Sequence, residues 1–579
     1  MNRSNYDKYP EITVTGMDDQ CWSGWTDVMR ALIGRGDAGV VAIECYVGVD
    51  VAEIAAAVRA FEPSALVLQT SDAFHEPEEI ERRVAPFVGA GDPVFGFVST
   101  LRMEDFFSPQ GLSTMRDRIA SATAGTVVVI GQGASLVAEA DRVVFAEMPR
   151  WESQGRMRRN HFANLGTTNH EEKWNLQYKR AYFNDWPVCD RLKLGLKAID
   201  FLLDTCKPGE PRLISRAAAA AAYESALTRP FRVVPFFDPA PWGGQWMKRT
   251  MALPEEAPNY GWCFDCVPEE NSVLFRFGGT VVELPSMNVV FADPTRMLGP
   301  RVHSRFGLSF PIRFDLLDTV GGGNLSFQVH PLTDYAQRNF GIHYTQDESY
   351  YLLDAEEGST VYLGLKEGVV PEEMIGGLEA AQAGGAPFDD EKFVCRWSAK
   401  THDHFLIPAG TCHCSGAGTL VLEISATPSI FTLKLWDWGR VGFDGLPRPI
   451  NIERAKGNIA WDRTEKWVER ELVNAVTEVA SGDGWREERT GLHELEFIET
   501  RRHWFTGPVE HHTGGGVNVL NLVEGREALV ESPSGAFEPF VVHYAETFIV
   551  PAAVGAYTIR PIGEAEGTRC ATLKAFVRA

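Results

Sequence analysis

The sequence predicts a multidomain protein of class α/β + β: an N-terminal parallel α/β unit followed by β-barrels with a helical insertion. Three observations carry this. At 579 residues the chain is too long for a single core. Up to about residue 207, short continuous apolar runs alternate with stretches of helical spacing. Beyond Pro230 the texture changes to short strands cut by Gly, Pro and Asp turns, with aromatic residues throughout.

In the first unit, residues 1–207, the expected strands are Val40–Cys45, Ala65–Thr70, Val94–Ser99, Thr126–Ile130 and Arg142–Met148. Each is apolar along its length, as a strand covered on both faces must be. Asp50–Phe61 and Glu76–Val88 carry helical spacing between them. Pro208 and Pro211 punctuate the chain, and the Ala-rich stretch Arg212–Arg229 reads as a helical connector, giving a linker over 208–229. Residues 230–454 read as the first β unit, interrupted by a helix over Pro371–Ala383. Ala455–Val476 reads as a second helical interruption, so that 455–490 is expected to be a helical segment. A second β unit occupies 491–579, with strands at Val517–Leu522, Ala528–Val530, Thr547–Val550 and Ala571–Val577.

The balance of 55 basic against 78 acidic side chains, net −23, excludes nucleic acid as a partner and requires a phosphorylated substrate to find a locally basic pocket. The longest apolar runs, such as Thr126–Ile130 and Ala217–Ala222, fall far short of the roughly 20 residues that span a bilayer, so no membrane partner is expected. No apolar segment follows Arg3, so no secretory signal is read and a cytoplasmic protein is expected. Ten scattered cysteines suit a reducing compartment. Cys263 and Cys266 form a lone C-x-x-C without the second pair that a zinc ribbon needs, and are expected to be structural.

Chemistry concentrates at Leu325–Pro331. Gln328 and His330 stand two apart, so on a strand both leave the same face, and Pro331 ends the strand after them. Glu348 opens another strand-like run, and His413 follows the turn Ile407–Cys412. One carboxylate, two imidazoles and an amide oxygen make a four-ligand set for a borderline divalent ion. Spacing alone leaves this open, since a lone histidine in a β protein is commonly a hydrogen-bonded core residue. His402, Asp403, His404, Cys412 and Cys414 form a rival cluster whose halves are separated by a turn and a proline.

A resemblance sharpens the first set. From about Arg232 to Arg448 the chain resembles the type I mannose-6-phosphate isomerases, which are built on cupin-type β-barrels. The matching stretches are Pro235–Gly244 (PFFDPAPWGG), Tyr260–Leu274, Phe310–Pro331 ending in LSFQVHP, the run Glu348–Asp354 with Leu363–Gly364, and Ile407–His413 (IPAGTCH). The resemblance implies an aldose–ketose isomerase that interconverts mannose 6-phosphate and fructose 6-phosphate through a cis-enediol. It also implies a zinc ion held by Gln328, His330, Glu348 and His413. Two positions depart from the family. Gln346 stands where the family has a lysine, two residues before the ligand glutamate. Lys434 stands where it has an arginine, which keeps the charge but loses the planar guanidinium fork.

Lys434 is the candidate for stabilising enediolate charge, and Arg440 and Lys366 are the candidates for binding phosphate. A different sugar isomerase, a non-enzymatic sugar sensor and a metal-dependent oxygenase are the alternative functions. The N-terminal unit resembles the uridine kinase type of P-loop kinase domain. Its first strand, however, runs into Glu44–Asp50 (ECYVGVD) instead of the phosphate-cradling G-x-x-x-x-G-K-[ST]. It is expected to be non-catalytic, with Arg156, Arg158 and Arg159 on a solvated helical face.

Overall fold

The computed structural model describes residues 4–34, 39–89, 91–122, 125–427, 429–491 and 493–578. The N-terminal unit is built on a seven-stranded sheet. Its order is Cys21–Ser23, Arg212–Ser215, Phe201–Asp204, Arg142–Glu147, Val40–Cys45, Val127–Gly131 and Leu66–Gln69. The last five run parallel, and the first two pair antiparallel at one edge. Continuous β-branched runs form the middle of the sheet, where both faces are covered; Val127–Gly131 is buried at every residue. The helix Val51–Phe61 starts where Asp50 accepts a hydrogen bond from the Glu53 N–H at 3.0 Å, an N-cap that satisfies an otherwise free donor. Pro77 opens the helix Pro77–Val88.

Three expectations for this half need correction. Val94–Ser99 is not a strand. The Asp92 carboxylate accepts from the Val94 and Phe95 N–H groups and turns the chain. The Val98 and Ser99 N–H groups then donate to the carbonyls of Phe340 and Phe183, and the Phe95 ring stacks on Phe340 at 4.9 Å. Its β-branched pattern therefore docks the unit on the rest of the chain. The connector 208–229 begins as a strand, Arg212–Ser215, paired antiparallel with Phe201–Asp204, and only Arg216–Leu227 is helical. The solvated face expected of the arginines holds only in part, since Arg158 and Arg159 are exposed and Arg156 is not. Arg156 is buried against Glu152 and the carbonyls of Gly48 and Thr205, and Arg158 makes a two-pronged ion pair with Asp238 at 2.7 and 2.8 Å.

The middle of the chain forms two antiparallel sheets packed face to face. One has the order His404–Ile407, Glu348–Ala355, Thr419–Ser425, Arg313–Asp318, Trp262–Cys266 and Phe236–Asp238. The other has the order Val394–Ser398, Thr360–Leu365, His413–Ser415, Phe327–Val329 and Leu433–Trp436. Between them lies a core that includes Leu317, Phe327, Val329, Tyr350, Leu352, Leu363 and Val421. The helical insertion is Pro371–Gln382, opened by Pro371. The helices Met287–Ala292, Pro294–Leu298, Pro300–Phe306 and Thr333–Phe340 had no counterpart in the sequence reading.

The C-terminal unit again has two facing sheets, of six and four strands. It begins earlier than expected. Within 455–490 only Glu465–Glu471 is a helix of more than one turn, while Thr477–Gly482 and Trp485–Gly491 are strands of the six-stranded sheet. Their alternating Thr, Val, Trp and Arg residues suit a strand with one wet face. No helix among the described residues is long and apolar enough to cross a membrane. All ten cysteines are free, and Cys263 and Cys266 are both buried.

Candidate metal centre

Register brings the predicted ligands together. On the five-stranded sheet Gln328 pairs with His413 on one side and with Lys434 on the other, so all three lie in one row across the strands. His330 follows Gln328 by two, just past the strand end. Glu348 opens its strand on the facing sheet, opposite Ser425 and Ile407. The two sheets thus present His330, His413 and Glu348 to each other from opposite sides, with all three fully buried.

The donor atoms of the three residues converge within 4.8 Å of one another. Glu348 Oε2 lies 3.0 Å from His330 Nε2, and Oε1 lies 2.8 Å from His413 Nε2. Even so, neither His330 Nε2 nor Glu348 Oε1 has a hydrogen-bond partner of acceptable direction. Donor atoms about 2.0–2.2 Å from a tetrahedral zinc ion lie roughly 3.3 Å from one another, close to these spacings. The opposite ring nitrogens are fixed: His413 Nδ1 lies 2.8 Å from the Thr411 carbonyl oxygen, and His330 Nδ1 3.4 Å from that of Phe431. Backbone carbonyls in these places hold the tautomer that leaves each Nε2 lone pair free for a metal. The Gln328 amide nitrogen lies 3.2 Å from His413 Nε2. A half-turn of the amide, which preserves its shape, exchanges that nitrogen for Oε1 and turns an acceptor toward His413 Nε2. The donor set therefore fits a divalent ion of the zinc type.

The surroundings are strongly polar for an interior. Burial alone would raise the Glu348 carboxyl, but the charge that His330, and then His413, can carry beside it holds it well below the usual carboxylate range. Asp315 and Glu423 face each other across paired strands of the six-stranded sheet. Burial first, with neighbouring carboxylates second for Glu423, pushes both well above that range. A charged residue inside an otherwise apolar strand was the signal for these two acids, which the sequence reading passed over. Beside Asp315 on the same face runs an aromatic row. Phe236 stacks on Phe264 at 5.7 Å, and Phe264 on Trp262 at 5.6 Å.

Lys434 is half-buried in the ligand row. Burial, then Arg448 beside it, pushes its ammonium down to about 7, with Asp437 opposing. Arg440 and Arg448 share Asp437, at 2.7 and 2.8 Å, and Arg440 Nε is buried without a partner. The structure therefore brings Lys434 and Arg440 to one end of the row and adds Arg448, which sequence reasoning missed. Lys366 is different. It lies in the turn after Thr360–Leu365, with its backbone N–H on Phe393, and no described interaction joins it to the ligands.

The rival cluster does not converge. Both ring nitrogens of His402 are taken, by Tyr351 at 2.9 Å and Glu524 at 2.7 Å, and His404 turns Nδ1 to the Thr490 carbonyl at 3.0 Å. The ring of Phe431, whose carbonyl orients His330, packs on Tyr182 at 5.7 Å and Phe183 at 6.2 Å. Both belong to a single π-helical turn of the N-terminal unit, Ala181–Asp185.

Residues 24–228 match a family described as a domain of unknown function (DUF8485). Over 231 residues the chain is 27% identical to the probable mannose-6-phosphate isomerase GmuF of Bacillus subtilis (strain 168), covering 40% of this chain and 68% of that protein. Over 216 residues it is 26% identical to the mannose-6-phosphate isomerase of Streptococcus mutans serotype c, covering 37% of this chain and 62% of the relative. Among solved structures, the mannose 6-phosphate isomerase from Bacillus subtilis matches with 20% identity and a TM-score of 0.49, over 60% of this chain and 99% of that one. The chain is thus similar to mannose-6-phosphate isomerases over about 40% of its length, while residues 24–228 match a family without an assigned role.

Proposed function

We propose that the first β unit is a cupin-type barrel with metal-dependent phosphosugar isomerase activity, interconverting mannose 6-phosphate and fructose 6-phosphate through a cis-enediol. The observation that carries this is the convergence of His330, His413 and Glu348 with ligand capacity left unfilled, in a chain similar to curated isomerases of that sugar. A zinc ion, or another divalent ion, held by Gln328, His330, Glu348 and His413, supplies Lewis-acid stabilisation of the oxygen that gains charge.

The chain's own groups do the rest. Lys434 stands in the ligand row and offers a positive charge to the developing enediolate. Arg440, with Arg448 beside it, offers the locally basic surface that a phosphate needs in a chain of net charge −23. Phe236, Phe264 and Trp262 offer ring faces against which the apolar face of a sugar can lie. Asp315, paired with Phe264, and Glu423 beside it have carboxyls that burial pushes upward, and they are candidates for moving the proton between C1 and C2. We read the N-terminal unit as a degenerate, P-loop-kinase-like domain without phosphoryl transfer, and the whole as a cytoplasmic enzyme.

Dialysis against a chelator, followed by assay of fructose 6-phosphate formation from mannose 6-phosphate, tests the proposal. Conversion should vanish with the metal and return with zinc. Metal-replete protein that converts no phosphorylated aldose at all would overturn it.

A further inference from the structure

The C-terminal unit contains a buried polar cluster whose hydrogen-bonding capacity is only partly used. Its six-stranded sheet has the order Thr477–Gly482, Trp485–Gly491, Ile498–Phe505, Cys570–Val577, Asn518–Glu524 and Thr547–Val550. It faces the sheet Val509–His512, Ala556–Pro561, Glu527–Glu531 and Phe540–His543. Most of the space between them is filled by apolar side chains, among them Phe505, Leu520, Leu522, Val530, Phe548 and Ile559. Strand alternation puts Arg501 and His503 on the same inward face as Phe505, and Thr572 and Lys574 on the same face as Cys570. Glu487 lies opposite His503, and His511 opposite Tyr557. One end of this interior is therefore lined by Glu487, Glu499, Arg501, His503, His511 and Lys574.

The hydrogen-bonding capacity of this end is unspent. The rings of His503 and His511 lie 4.3 Å apart from facing sheets, and the two residues are 3% and 6% exposed. His503 uses only Nε2, at 3.3 Å from Glu487; its Nδ1 and both nitrogens of His511 have no partner. Lys574 is 8% exposed and makes no ion pair among the described residues. A buried polar atom left without a partner destabilises the fold, and an apolar residue would serve the core better. The end is also open: Arg501 keeps 26% of its side-chain surface and Glu487 17%, although both face inward.

The charges decide what could enter. Two imidazoles and a carboxylate resemble the ligand set of the first barrel. Here, however, the carboxylate is engaged by Arg501 at 2.9 Å, and the Lys574 ammonium would repel a cation. An acceptor-rich anion is suited instead: the carboxylates of Glu487 and Glu499 are both engaged by Arg501, and Lys574 and protonated imidazoles can only donate to it. We propose that the C-terminal β unit carries a second binding site, for a small oxyanion (a phosphoryl or carboxylate group), formed by Lys574, His503 and His511. Burial pushes Lys574 down to about 8 and His511 well below its usual value, so an arriving anion raises both and binds with uptake of protons.

The test is titration of the full, metal-loaded chain with inorganic phosphate and, separately, with malonate. Imidazole ¹⁵N signals of His503 and His511 report the site, and calorimetry in buffers of different ionisation enthalpy reports the protons. Both imidazoles should shift and proton uptake should appear with at least one anion; which one responds identifies phosphoryl or carboxylate recognition. Lys574→Met should weaken binding at least tenfold, Lys574→Arg should restore most of it, and His413→Ala should leave it intact. Unmoved signals with both anions at tens of millimolar overturn the proposal. So does zinc binding in the His413→Ala chain that is lost on adding His511→Gln.

Discussion

Gln346 donates from Nε2 to Oε2 of Glu348 at 2.9 Å, in the buried wall of the metal centre, while its own Oε1 accepts from Thr427 at 3.3 Å. A neutral amide thus stands beside the Glu348 carboxylate, at the position where the sequence resemblance implies a lysine. Gln346→Lys puts an ammonium there without touching a ligand. We expect metal content, read by elemental analysis, to stay unchanged and kcat/KM for mannose 6-phosphate to rise. Loss of metal in that variant would mean that the amide helps to hold Glu348 in place. Wild-type turnover already in the ordinary range of about 10⁴–10⁸ M⁻¹s⁻¹ would mean that the lysine is compensated elsewhere.

Removing a ligand should remove the ion. His413→Ala and Glu348→Gln are expected to lose metal and activity together. For the wild type, metal at a hundred times its dissociation constant should stabilise the fold by about 2.7 kcal/mol, seen as a higher Tm that a chelator reverses. Full metal occupancy in His413→Ala would place the ion elsewhere.

Lys434, pushed down to about 7, gives the reaction a pH signature. The ammonium is charged below that value and neutral above it, so a role as a cation predicts that kcat/KM falls as pH rises through about 7. Lys434→Arg should abolish this limb, and Lys434→Met should cost on the order of 10²–10³ in kcat/KM. A rate that climbs through the same region would instead make the neutral amine a base.

His404 predicts acid sensitivity of the junction between the two β units, where its Nδ1 meets the Thr490 carbonyl. Burial, helped by Arg502, pushes it down to about 3, against about 6.5 in the unfolded chain. The depressed value means that its contribution is intact above 6.5 and is lost as pH falls from there towards 3. His404→Gln should flatten the drop in unfolding free energy between pH 6 and pH 4 by about 1–3 kcal/mol relative to wild type, as measured in urea.

The N-terminal unit should neither hydrolyse ATP nor transfer its phosphate. The turn after Cys45 spends its Gly48 carbonyl on Arg156, and Glu44 turns its carboxylate to the Gly133 and Ser135 N–H groups. Donors that would cradle a phosphate are thus occupied by an acid. Micromolar ATP binding by calorimetry would count against this.

What could be read from the sequence was what repeats at short range. Val40–Cys45 and Thr547–Val550 stand where their apolar runs put them, and Gln328 with His330 needed only the two-residue period of a strand. What escaped depends on distant partners. Val94–Ser99 carries a strand pattern, but its N–H groups meet carbonyls of Phe183 and Phe340 instead of a neighbouring strand. Arg448 reaches the site through Asp437, and His503 finds His511 only when two sheets close. Glu465–Glu471 is helical as read, but periodicity ran on past Leu472 because nothing local marks the return to strand at Thr477.

The segment before the first helix places a demand on the order of events during synthesis. Glu11–Thr13 adds a parallel strand to the hairpin Ser272–Pro285. Tyr6 donates to Asp265 at 2.6 Å, and the Asp7 N–H donates to Glu546 across 539 residues of chain. Residues 6–13 leave the ribosome well before their docking sites, the last of them Glu546, so they must wait undocked while the intervening units are made. At roughly 5–20 residues per second that wait lasts on the order of half a minute to two minutes. An N-terminal fusion large enough to hinder the late docking should therefore lower the yield of folded protein more than the same fusion at the other end.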